Sequence, residues 1–110
     1  MEEIGKIQII NQVSATEILD MPRDKFEDFI KSNKVSVGDA SNLDFYFKSI
    51  YQRTTLDKDA ILLKIKNGEL YDTTPEVKNH LNNMYLLLAD IEQKVLFLTQ
   101  YIKDIMSGSN

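Results

Sequence analysis

The sequence predicts a mainly α-helical chain with a small β element, in which residues 1–72 form a compact lobe and residues 73–110 a long coiled-coil helix with a frayed tail. The first observation is a seam: Val77, Leu81, Met84, Leu88, Ile91, Val95, Leu98, Ile102 and Ile105 recur at alternating spacings of four and three, the heptad pattern of a helix buried along one side. The second is punctuation. Thr74 and Pro75 stand where a helix would begin, with no further Pro to the end of the chain. The third is the run Ile4, Ile7, Ile9, Ile10 and Val13, β-branched and partly alternating, which predicts a short strand or extended arm over residues 4–13.

Along the lobe, Ser14 and Glu17 have the spacing of a capping box and predict a helix over residues 15–20. Pro22 favours a first turn, Asp24, Glu27 and Asp28 suit the positive end of a helix dipole, and Phe26, Phe29 and Ile30 share a face, giving a second helix over residues 22–32. Asn33 is the expected left-handed stop. Residues 36–42 read as loop, and Leu43, Phe45 and Phe47 alternate within an aromatic stretch that predicts a strand over 43–53, although Leu43, Phe47 and Ile50 also fit a helical stripe. A helix over 57–66 is capped by Thr55 or Asp57, turns Ile61, Leu62 and Ile65 inward and ends at Gly68; Tyr71 to Thr74 form a hinge. The final helix, residues 75–106, would be about 48 Å long.

In the seam Leu81, Leu88, Val95 and Ile102 take the a positions and the others the d positions, with Tyr85, Leu87, Tyr101 and Met106 widening the apolar face at e and g. A helix this long overshoots a small lobe, so the nine seam residues are expected at an interface between copies of the chain, a homodimer foremost.

Charge and composition exclude more than they identify. The net charge of −4 disfavours a sequence-independent grip on nucleic acid, and residues 1–72 carry ten Lys and Arg against thirteen Asp and Glu. There is no cysteine, so disulfides, thiolate metal sites and cysteine nucleophiles are excluded. The single His80 falls at a g position and reads as surface. Four glycines and one histidine supply neither a phosphate-binding loop nor a Ser-His-Asp triad. No catalysis, cofactor or metal is expected. The start Met1-Glu2-Glu3 does not read as a secretory signal and no apolar run is long enough to cross a bilayer, which makes the cytoplasm the expected location.

The segment from Gln12 to Val35 resembles the helix-turn-helix opening of excisionase-type and MerR-like winged proteins. Ala15, Ile18 and Leu19 match the first helix, Met21 the turn, Phe26, Phe29 and Ile30 the buried side of the second helix, and Asn33 with Val35 its exit. The resemblance implies a β wing at 43–53, a further helix at 57–66 and a dimerisation helix at 75–106. It also implies a small dimeric DNA-binding regulator or recombination accessory protein. Arg23, Lys25, Lys31, Lys34, Lys48 and Arg53 are then the residues expected to meet double-stranded DNA. The contrasting expectation is an acidic coiled-coil interaction module, an adaptor, inhibitor or DNA mimic, whose partner is another protein.

Overall fold

The computed structural model describes residues 9–10 and 12–108. Ile9–Ile10 (β1) and Val13–Ser14 (β2) pair antiparallel as a minimal hairpin, with Ile9 opposite Ser14 and Ile10 opposite Val13. The rest of the arm expected over 4–13 lies outside the described residues, apart from Gln12 in the hairpin turn at φ 69°. Ser14 then caps α1, Ala15–Asp20, as its spacing predicts: the Ser14 hydroxyl accepts the Glu17 N–H at 3.2 Å and the Glu17 carboxylate accepts the Ser14 N–H at 3.1 Å. Replacing Ser14 with Ala should lower stability by about 1 kcal/mol, read as a shift in the urea midpoint; an unchanged midpoint would show that the box contributes nothing.

Helix α2 spans Arg23–Ser32, with Pro22 as its N-cap residue rather than its first turn. Its stop differs from expectation in one detail. Asn33 keeps φ −89° and its side-chain amide donates to the Phe29 carbonyl at 2.8 Å, while Lys34 takes the left-handed conformation at φ 48°. The N–H groups of Lys34 and Val35 then close on the carbonyls of Lys31 and Ile30, the double closure that ends many helices.

The largest correction concerns residues 36–66. The expected loop, wing strand and short helix are one continuous helix, α3, Val37–Lys66. Ser36 starts it by accepting the Asp39 N–H at 3.1 Å, and Thr55 and Asp57, expected as caps, lie in its interior. The helical stripe prevails over the strand alternation because Ala40, Leu43 and Phe47 are all fully buried by it, whereas Phe45, the middle member of the alternating set, is 60 % exposed. Packing overrides the β preference of aromatic and Thr side chains, which reflects context more than the backbone. There is no wing at 43–53. Gly68, at φ 79°, closes the helix as expected.

Helix α4 spans Pro75–Met106, and Thr74 occupies its N-cap without a side-chain hydrogen bond. It runs back along α3. The Tyr51 hydroxyl bonds Glu92 at 3.0 Å, and Lys58 sits over the Tyr85 ring at 5.5 Å, so positions advance on one helix as they retreat on the other. The result is an antiparallel hairpin, 54 Å in the molecule's longest dimension, with the small lobe at one end. The boundary expected at 72/73 falls in the turn between the two long helices, both of which contribute to the same core.

This pairing gives the seam a different neighbour from the one anticipated. Leu81, Met84, Leu88, Ile91 and Leu98 are buried, and Val77, Val95, Ile102 and Ile105 half-buried, within a single chain. The ribbon expected to meet a second copy is occupied by α3 and the lobe, because α3 is itself a thirty-residue helix with a matching apolar side. Among the described residues no helix is long and apolar enough to cross a membrane.

Candidate functional site

The lobe is held to the hairpin by a residue that its position in the sequence does not advertise. Lys94 is 1 % exposed. Its ammonium donates to the carbonyls of Leu19 and Met21, both at 2.6 Å, pairs with the Asp90 carboxylate at 2.7 Å and lies 5.7 Å from the centre of the Phe26 ring. An ammonium has three donors, and this arrangement gives each an acceptor. The two carbonyls belong to the last residues of α1 and the turn after it, where backbone acceptors lack helical partners and a cation is favourable. Lys94 therefore closes α1 from a helix more than seventy positions away in sequence.

Around it the aromatic rings form a joint. Phe26 of α2 meets Phe47 of α3 at 5.8 Å and Phe97 of α4 at 5.6 Å between centroids. Phe97 stacks on Tyr101, whose hydroxyl donates to the Val35 carbonyl at 2.6 Å. Burial raises the Tyr101 phenol above its ordinary pKa, which keeps that donor protonated. The Tyr51 phenol is also raised, because it donates to the Glu92 carboxylate.

The six residues expected at DNA do not form one face. Arg23 and Lys25 open α2 in solvent beside Asp24. Lys31 lies over the Phe97 ring at 5.6 Å and, with Lys34, lines a groove of about 680 Å³ that also receives Asp104. Lys48 pairs with Asp44 at 2.9 Å and lines a separate groove of about 480 Å³ with Tyr51, Glu92 and Leu96. Arg53 is exposed midway along α3. Each groove carries an acid beside its base, so neither offers the uniform positive field that phosphate requires.

What the hairpin does present is apolar. Phe45, Leu56 and Leu63 of α3 are 60 %, 70 % and 56 % exposed. Spacings of eleven and seven residues place them within about 20° of one line on a helix, and that line is turned away from α4. On α4, Tyr85, Leu86 and Leu96 are likewise open to solvent. Single exposed apolar residues are ordinary; a file of them at helical spacing marks a surface for contact. The sequence reading missed it by assigning Phe45 to a strand. No known protein family, curated protein or solved structure matches this chain.

Proposed function

We propose that this chain is a non-catalytic protein-interaction module: an acidic helical hairpin that offers apolar stripes to another polypeptide, with a small lobe locked at one end. The observation that carries the reading is the file of Phe45, Leu56 and Leu63 on solvent in a hairpin whose heptad seam is already filled from within. A helical partner laid along such a file would bury it in the manner of a helix meeting a groove or a second helix. The scattered cations and their adjacent carboxylates support the same reading over phosphate binding.

DNA binding is the second reading. It is favoured by the lobe's order of hairpin, short helix, turn and helix, and by Lys31 and Lys34 sharing a groove at the exit of α2.

One pair of measurements separates the two. A photo-crosslinking residue in place of Leu63 should capture protein in cells that make this chain, while the same residue in place of Asn82 should capture little. Fluorescence polarisation with short duplexes at about 100 mM salt, where exposed charges are screened beyond roughly 10 Å, should show no saturable binding. Saturable, salt-sensitive binding that disappears in Lys31→Ala/Lys34→Ala, with no crosslink at position 63, would replace the interaction reading with the DNA reading.

A further inference from the structure

We infer that the lobe is an exchangeable part: two copies of the chain swap lobes, each docking in the groove of the other's hairpin, and the chains cross at residues 33–36. The contacts are those already described, now made between chains: Lys94 on the carbonyls of Leu19 and Met21, Phe26 against Phe47 and Phe97, and Tyr101 on the Val35 carbonyl. The occupant is a second copy because the groove is shaped to this lobe and every copy carries one. The inference is independent of the apolar file on α3.

The connection between α2 and α3 is what favours exchange. Asn33, Lys34, Val35 and Ser36 alone turn the chain from one helix into the next. The turn hangs on Lys34 at φ 48°, a left-handed conformation that costs a side-chain-bearing residue more than glycine. Neither Gly nor Pro stands among the four, so nothing in them forbids a helix. Straightened, α2 and α3 become one helix over residues 23–66. The last carbonyls of α2 and the first N–H groups of α3 then serve each other, where two separate helix ends need caps. Short connections under strain are the ones that invite exchange. The turn also borders the groove of about 680 Å³, which Lys34, Val35 and Ser36 line, so the chain has room to straighten.

The direction of α2 makes the exchange geometrically closed. Met21, just before α2, meets Lys94, and Val35, just after it, meets Tyr101 further along α4, so α2 runs parallel to α4 and antiparallel to α3. A helix continuing straight from a docked α2 therefore leaves the hairpin at its base, and the hairpin it belongs to lies beyond, inverted. Two such chains sit base to base about a two-fold axis at the hinges, and each fills the other's groove, which leaves no place for a third copy. The lobe keeps the same contacts in either form. Association entropy favours the single chain and relief at two hinges favours the pair, so the exchanged dimer is a form of high concentration, nearly twice the 54 Å length of the monomer.

The test traps the lobe where it docks. The chain has no cysteine, and the Thr16 hydroxyl of the lobe lies 3.0 Å from that of Tyr46 on α3, so the variant Thr16→Cys/Tyr46→Cys can be joined across the joint by a short bis-maleimide. The full chain is concentrated, warmed so that lobes undock, cooled, and separated by size, with circular dichroism to confirm that each variant keeps its helices. Sedimentation velocity should show monomer and dimer, and small-angle scattering a dimer of nearly doubled length. After crosslinking, a denaturing gel should show the isolated dimer as chains joined in pairs and the isolated monomer as single chains. Lys34→Gly should weaken dimerisation by roughly tenfold to a hundredfold, because glycine eases the closed turn and disfavours a continuous helix at both hinges. A chain that stays monomeric at every concentration, or a Lys34→Gly variant that dimerises as the wild type does, overturns the inference. So does a dimer whose crosslinked chains run singly, since its copies then meet through another surface and each keeps its own lobe.

Discussion

Replacing Lys94 with Ala should release the N-terminal lobe from the hairpin, at a loss of about 2–4 kcal/mol. The magnitude comes from what is left behind. The carbonyls of Leu19 and Met21 lose their only ammonium donor in a buried or half-buried setting, and each acceptor stranded away from water costs about 1–3 kcal/mol. The void left by the aliphatic stem adds to this. Lys94→Met separates the two terms, since it keeps the stem and removes only the bonds; it should fall between wild type and Lys94→Ala. Asp90→Asn should cost less than about 1 kcal/mol, because that carboxylate is over a third exposed and water replaces much of what it supplies. Hydrogen exchange provides the location: in Lys94→Ala the amides of α1 and α2 should lose protection while those of α3 and α4, around Ile91 and Leu88, keep theirs. Equal loss in both regions would show that the lobe and hairpin unfold together and that Lys94 is not a separable lock. A midpoint within experimental scatter of wild type would show that the bonds are not stabilising.

How far the sequence discloses this arrangement varies from residue to residue for physical reasons. Local signals were legible. The capping box at Ser14 and Glu17, the left-handed Gly68 and the span of α4 from Pro75 to Met106 all stand as read, because each depends on contacts within a few positions. Periodicity also announced that α4 has a buried side. It does not say against which chain that side is buried: the same heptads serve a copy of the helix or an antiparallel neighbour, and the choice depends on whether another long helix exists. That helix was concealed by composition. Tyr46, Phe47, Tyr51, Thr54 and Thr55 favour strand, and only the 3.6-residue spacing of Leu43, Phe47 and Ile50, together with Ser36 and Asp39 as a cap, argues for what forms. Lys94 was hidden more deeply. A lysine flanking an apolar seam reads as solvent-facing, and the pair with Asp90 four positions earlier is what a surface helix would also show. Its burial follows from the docking of a lobe far away in sequence, which no local pattern encodes. For the surface residues the resemblance to winged proteins pointed to six cations, and folding separates them because Lys48 and Arg53 lie on a helix where a wing was expected.

Phe26→Ala should be the most damaging single truncation, at about 3–5 kcal/mol. The ring is fully buried and meets three groups on the two long helices at once: Phe47 on α3, and Phe97 and the Lys94 ammonium on α4. Truncation leaves a cavity at the meeting point of lobe and hairpin, where long helices on two sides limit how far the walls can collapse. Phe26→Leu fills most of the volume and should cost less than about 1.5 kcal/mol. The more informative quantity is the coupling with Lys94. Phe26 contributes a face to the ammonium as well as volume to the core, so Phe26→Ala and Lys94→Met should not add. The double variant should be less destabilised than the sum of the two, with an interaction energy of about 0.5–2 kcal/mol from denaturant titrations of all four proteins. Strict additivity would mean that ring and ammonium act separately and that the joint is ordinary core packing. A coupled pair would mean that one polar lock and one ring, on helices distant in sequence, hold the lobe in a single orientation on the hairpin. In that case Lys94→Met should loosen the packing around Phe97 and Tyr101 as well, detectable as weaker near-ultraviolet dichroism with the helical signal unchanged.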